Sequence, residues 1–198
     1  SNTGGIVTFA SAVGATADLG GMGDLTLNAS TETVFASTVD VEQLSLAGTS
    51  TFKGAVTADG TVTFVDGATV KVFTGFSSGN TIINAAGAAT DTSGETITVH
   101  MPTDIGDGEN LIIVAASGGL DATYTATNTG LFTYTTTNAL TAQTVTATKR
   151  TAADTATTLG ISTDEATALD NANTAIATGD ATALEAFNTV LTAGGAAA

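Results

Sequence analysis

With His100 as the only histidine and no cysteine, the chain lacks the parts for most metal and nucleophile chemistry. A two-histidine zinc face, a thiolate site and a triad with a spare base all need residues that are not there. Ser and Thr hydroxyls are the nucleophiles that remain, and His100, just before Met101-Pro102, reads as a half-exposed histidine at the end of a strand. The densest group with chemical potential is acidic, Asp104-Ile105-Gly106-Asp107-Gly108-Glu109. Three carboxylates in a Gly-bearing loop, supplemented by backbone carbonyls, suit a hard cation that takes about six to eight oxygens. Asp104, Asp107 and Glu109 are therefore the candidate calcium ligands, although their spacing fits neither the EF-hand loop nor the nonapeptide calcium repeat. No residue is expected to be catalytic, and no cofactor other than calcium is expected.

The elements that must position these residues are short strands. From Ile6 to Thr148 the sequence keeps returning to runs of alternating Thr, Val, Ile and Phe. Thr33-Val34-Phe35, Val41 to Leu46, Thr61 to Val65, Thr69 to Phe73, Thr96 to His100 and Leu111 to Val114 are β-branched and mostly of period two. Turn dipeptides fall between them at Asp59-Gly60, Asp66-Gly67, Gly79-Asn80, Ser93-Gly94, Asp107-Gly108 and Gly118-Gly119. Strands at such spacing build a sandwich, a barrel or a stacked solenoid.

Composition separates these. The chain is 42% hydrophobic and 12% charged, which predicts folding and not disorder. With 8 Phe, 2 Tyr, no Trp and Pro102 as the single proline, its core is built from small side chains that suit thin stacked layers. The predicted fold is mainly β, a stacked β-solenoid, with a β-sandwich or jelly roll as the alternative. A formal charge of −15 repels phosphate backbones and anionic headgroups, so nucleic acid and bare membrane are not expected as partners. No apolar run approaches the length of a membrane span, and the Ser1-Asn2-Thr3 start reads as a processed mature chain.

After Lys149-Arg150, read as a solvated linker, apolar residues recur three and four apart among alanines. Ser162-Thr163-Asp164-Glu165 has the form of a capping box, and Ala166, Leu169, Ala172 and Ile176 share one face up to Gly179. Asp180 caps a second predicted helix with Leu184, Phe187 and Val190 or Leu191 as its stripe. The expected organisation is a Thr/Gly-rich β domain over 1–150 and an Ala-rich tail over 151–198 that forms an αα-hairpin. Helices this short need a docking surface.

The succession of Gly54-Ala55-Val56-Thr57-Ala58-Asp59-Gly60-Thr61-Val62-Thr63-Phe64 and Gly67-Ala68-Thr69-Val70-Lys71-Val72, followed by Ala-rich helices, resembles the passenger region of bacterial type V autotransporters and related surface proteins. That resemblance implies a right-handed β-solenoid on the outside of a Gram-negative cell, with the helical segment near the junction to a translocator. The chain departs from the pattern in that no barrel follows, so the expectation is either a released fragment of a longer precursor or a likeness to another extracellular repeat protein such as an S-layer or filament subunit. The functional expectation is a secreted or cell-surface structural protein, not an enzyme. It would act as an adhesin-like passenger or assemble with copies of itself into a fibre or layer, with a host or glycan ligand as a further partner. The alternative is a carbohydrate-binding module or a β-helical polysaccharide-active enzyme, with Tyr124 and Tyr134 as its sugar platforms.

Overall fold

The computed structural model describes residues 6–14, 23–29 and 32–177. The protein is mainly β, with two helices closing the described chain. One sheet has nine strands: β1 (Ile6–Phe9), β2 (Leu25–Thr26), β3 (Glu32–Phe35), β5 (Leu44–Phe52), β7 (Val62–Val72), β9 (Ala89–Asp91), β10 (Ile97–His100), β12 (Leu120–Asp121) and β13 (Tyr124–Ala126). A second sheet has six: β4 (Val39–Val41), β6 (Val56–Ala58), β8 (Thr81–Ala85), β11 (Asn110–Ala116), β14 (Phe132–Asn138) and β15 (Ala142–Lys149). Both helices, α1 (Ala152–Leu159) and α2 (Thr163–Ala177), follow β15.

Pairing is parallel except where β15 meets β11 and β14. Register resolves the parallel part into three ladders, because β5 and β7 each contribute two halves. Leu25, Leu44, Val62, Ala89 and Leu120 are successive partners in the first. Phe9, Phe35, Phe52 and Val72 form a column of the second. Val39, Val56, Ile83 and Val114 form a column of the third. The chain passes from first to second to third ladder and begins again, so residues of one type fall on top of one another.

Alternation then sorts each column inward or outward. Phe35, Phe52, Phe64 and Ile83 are fully buried, whereas Thr49, Thr69, Thr98 and Thr125 form an outward column of partners. The rings of Phe9, Phe35 and Phe52 stack with centroids 5.1 and 5.3 Å apart, each pair inclined by 6°. The corner from the third ladder to the next first-ladder strand is built on glycine. Gly60 donates its N–H to Glu42 O, Gly87 to Gly60 O and Gly118 to Gly87 O. A Cβ on Gly87 would stand 2.7 Å from the Gly60 oxygen and one on Gly118 2.7 Å from Ala88 N, contacts that only glycine avoids.

Several expected boundaries move. Val41 to Leu46 is not one strand but the end of β4 and the start of β5, with a corner at Glu42-Gln43. Asp66-Gly67 is not a turn between strands; β7 runs through it, with Gly67 at φ 64° opposite an irregularity in β5. Lys149-Arg150 is no solvated linker, since Lys149 ends β15 and pairs with Asp170 while Arg150 donates from its backbone to Leu131 O and from Nε to Thr129 O. The first helix begins at Ala152, earlier than expected, and α1 and α2 pack on each other. The predicted helix over 180–191 lies outside the described residues.

Candidate functional site

The groups with chemical potential gather at the corner between the second and third ladders. There the connections are short at 36–38 and 53–55 and long at 73–80 and 101–109. The longest holds the acidic residues, and each carboxylate bonds a different part of the backbone. Asp104 Oδ2 accepts from Gly75 N at 2.9 Å, in the neighbouring long loop. Its Oδ1 is buried and takes no hydrogen bond from the protein. Asp107 Oδ1 accepts from Lys149 N at 2.8 Å, and Glu109 Oε2 closes its own loop on Gly106 N at 2.6 Å. The three carboxylates therefore do not converge on a common point. Among the described residues no group of three or more acidic or histidine side chains is arranged to hold a metal ion.

What the loop does instead is tie the strands to the helices. Thr103 O accepts from Asn173 Nδ2 at 3.1 Å, and Lys149 Nζ meets Asp170 Oδ1 at 2.5 Å. Ile105, Met101 and Ile176 are buried in the common core. A groove of about 70 Å³ remains along this seam, lined by Met101, Leu131, Phe132, Tyr134, Leu159 and Leu169 and largely apolar. The capping box that opens α2 forms as its sequence requires, with Glu165 N donating to Ser162 Oγ and Ser162 N to Glu165 Oε2. Ser162 donates to Glu165 Oε2 from its backbone N–H and then from its hydroxyl, each at 2.8 Å, and these two bonds hold the Glu165 carboxyl below its usual range. For α1 the signal was present but slighter: Thr151 caps Asp154 N, a Thr-x-x-Asp pattern without a long apolar stripe behind it.

His100 ends β10 half-buried, directly beside Lys71 in β7. Burial, and then the Lys71 charge, push its imidazole below the ordinary range. Lys71 reaches across β5 to Glu32 at 3.4 Å, and Lys53 lies 4.2 Å from the centre of the Phe73 ring. Every lysine and arginine side chain therefore has an intramolecular partner, a carboxylate for Lys71 and Lys149, a ring for Lys53 and a carbonyl for Arg150. Tyr124 is core rather than surface, and Tyr134 is part-buried at the groove. Tyr124 is 3% exposed, with its ring edge-on to Phe64, and Tyr134 stacks on Phe132. Burial raises the pKa of both phenols.

Two serine strings with motif spacing escape the sequence reading above. Ser50-Thr51-Phe52-Lys53 fits S-x-x-K, which needs a helix to bring its ends together. Here Ser50 lies buried on β5 and Lys53 follows the end of the strand, exposed on Phe73. Gly75-Phe76-Ser77-Ser78-Gly79 fits G-x-S-x-G, but it connects two strands, not a strand to a helix, and Ser77 N is held by Asn80 Oδ1. Neither string is placed as a nucleophile.

No helix of the described residues is long and apolar enough to cross a membrane. Comparison with protein-family models, with curated proteins and with solved structures finds no match for this chain.

Proposed function

We propose that this chain is a non-enzymatic structural protein of the extracellular or bacterial cell-surface kind, built as a stacked β-solenoid that associates with copies of itself or acts as an adhesin-like passenger. One observation carries the reading: three parallel ladders visited in a fixed order, in which like residues pile into columns. Such an architecture is additive, each layer contacting its neighbours, and it makes a stiff rod with long regular faces. The parallel pairing supports a solenoid over a sandwich or jelly roll, whose sheets are assembled from antiparallel hairpins. The resemblance to autotransporter passengers is consistent with the same reading.

The −15 charge and the intramolecular pairing of the basic side chains favour a solvated surface over nucleic-acid or anionic-membrane contact. Negative-stain electron microscopy of the purified chain at several concentrations tests the proposal. Rods or regular assemblies that persist with a chelator are expected, because the carboxylates of 104–109 are engaged with backbone amides. Compact particles that never associate and bind no surface ligand would overturn it. A carbohydrate-binding module is the second reading, favoured by Phe73, 45% exposed just past the end of β7 with Lys53 over one face of its ring. In that reading Phe73→Ala abolishes oligosaccharide binding, and the buried Tyr124 is irrelevant to it.

A further inference from the structure

The self-association in the reading above leaves open which surface two copies share, and the hairpin of β14 and β15 supplies the answer. β14 ends the six-stranded sheet, and β15 is its one strand partner among the described residues. Its outer edge is half closed. Phe132 N donates to Thr129 Oγ1 and Tyr134 N to Asn128 Oδ1, both away from β15. Strand alternation turns the N–H and C=O of Thr136 and Asn138 to that same outer side, where no side chain of the preceding segment caps them.

Exposed edges usually carry a charge or a proline that blocks pairing with another chain. Phe132 to Asn138 has neither, and the stretch 122–148 contains no charged residue. In a chain with nineteen acidic residues, this is the surface on which two copies meet without facing carboxylate against carboxylate. The edge is also self-complementary. A second β14 laid antiparallel with Thr136 on the two-fold axis sets Thr135 against the other copy's Thr137. Thr–Thr pairs already form across the hairpin, at Thr133↔Thr148, Thr135↔Thr146 and Thr137↔Thr144. Pairing is confined to the open span around Thr136, because Thr129 holds the buried Phe132 and Asn128 the N–H of Tyr134, and Leu140, 88% exposed at the hairpin tip, lies at the rim of the contact.

We propose that the outer edge of β14 is an interface between two copies of this chain, joining their six-stranded sheets antiparallel about a two-fold axis at Thr136. The contact is isologous and closes at two chains. It rests on the self-association reading, and the experiment separates the two. Sedimentation equilibrium of the whole chain across a broad concentration range is expected to show a monomer–dimer system. Thr136→Lys sets two ammonium groups against each other at the axis and weakens the dimer by about tenfold or more, with far-UV circular dichroism unchanged. Thr57→Lys, exposed on β6 of the same sheet, leaves it intact. Leu140→Asp at the tip provides a second variant that does not depend on Thr136→Lys folding, and it too is expected to weaken the dimer. A dimer indifferent to both hairpin variants would overturn the β14 interface and leave self-association standing. A wild-type chain that stays monomeric throughout would overturn both, and species larger than two chains that survive the variants would overturn the closed pair.

Discussion

The ladders and the C-terminal end are held together by different means. In the ladders, each residue rests on a partner of the same kind, as Phe9 on Phe35 on Phe52 and Val39 on Val56 on Ile83, and few side-chain hydrogen bonds are needed. At the end, a handful of individual polar contacts attach unlike elements: Lys149 to Asp170, Asn173 to Thr103, Asp107 to the backbone of Lys149. The lesson is that a repeating core spreads its stability over columns, whereas a junction concentrates its geometry in single bonds. Damage to a column should therefore be felt throughout, and damage at the junction locally.

The sharpest way to break that contrast is Phe52→Ala. This ring is fully buried at the end of the aromatic stack, between Phe35 and Val72 in its column, and its loss should cost about 3–5 kcal/mol, read from denaturant unfolding. A transition that lost cooperativity instead of shifting would mean that the ladders do not share one core. Ser162→Ala removes one arm of the capping box and should cost about 1 kcal/mol, seen as faster amide exchange in α2 with the ladders unchanged. Lys149→Met should cost less than about 1 kcal/mol, because both charged groups of the pair are partly solvated; protection spreading away from α2 would show the junction to be tighter than drawn. The smallest effect is electrostatic. His100 should titrate below its ordinary value of 6.5 by NMR, and Lys71→Met should raise the midpoint part of the way. A depressed imidazole pKa means that the unfolded chain binds the proton more readily. The associated stability is thus complete above the unfolded value and declines as pH falls through the folded one. Lys71 itself is balanced by Glu32, so Glu32→Gln should depress the midpoint further.

The same contrast governs what could be read from residues alone. Thr33 to Phe35, Thr96 to His100 and Leu111 to Val114 were legible because an alternating β-branched run leaves few other options. The break inside Val41 to Leu46 was not, because Glu42-Gln43 at a corner looks like ordinary polar positions in an alternating strand. Asp66-Gly67 misled for the opposite reason: a strand whose neighbour also deviates from regular pairing can absorb a glycine at positive φ without ending. Of the candidate site, the loop 104–109 stood out as the densest acidic run, but its bonding depends on partners some thirty to forty residues distant, Gly75 and Lys149, that no local pattern reveals. Tyr124 and Tyr134 show the same limit, since whether a tyrosine faces sugar or core is decided by packing.

The glycine corner bears on how this molecule can change over time. After the Glu42-Gln43 connection, its connections are three residues long at 59–61, 86–88 and 117–119, each with glycine in the middle. The corner after the second ladder already ranges from three residues at 53–55 to nine at 101–109. Length variation, whether by natural drift or by grafting a foreign peptide for display, has one direction in which to grow. It extends outward from that second corner, while the opposite corner keeps the spacing between successive strands.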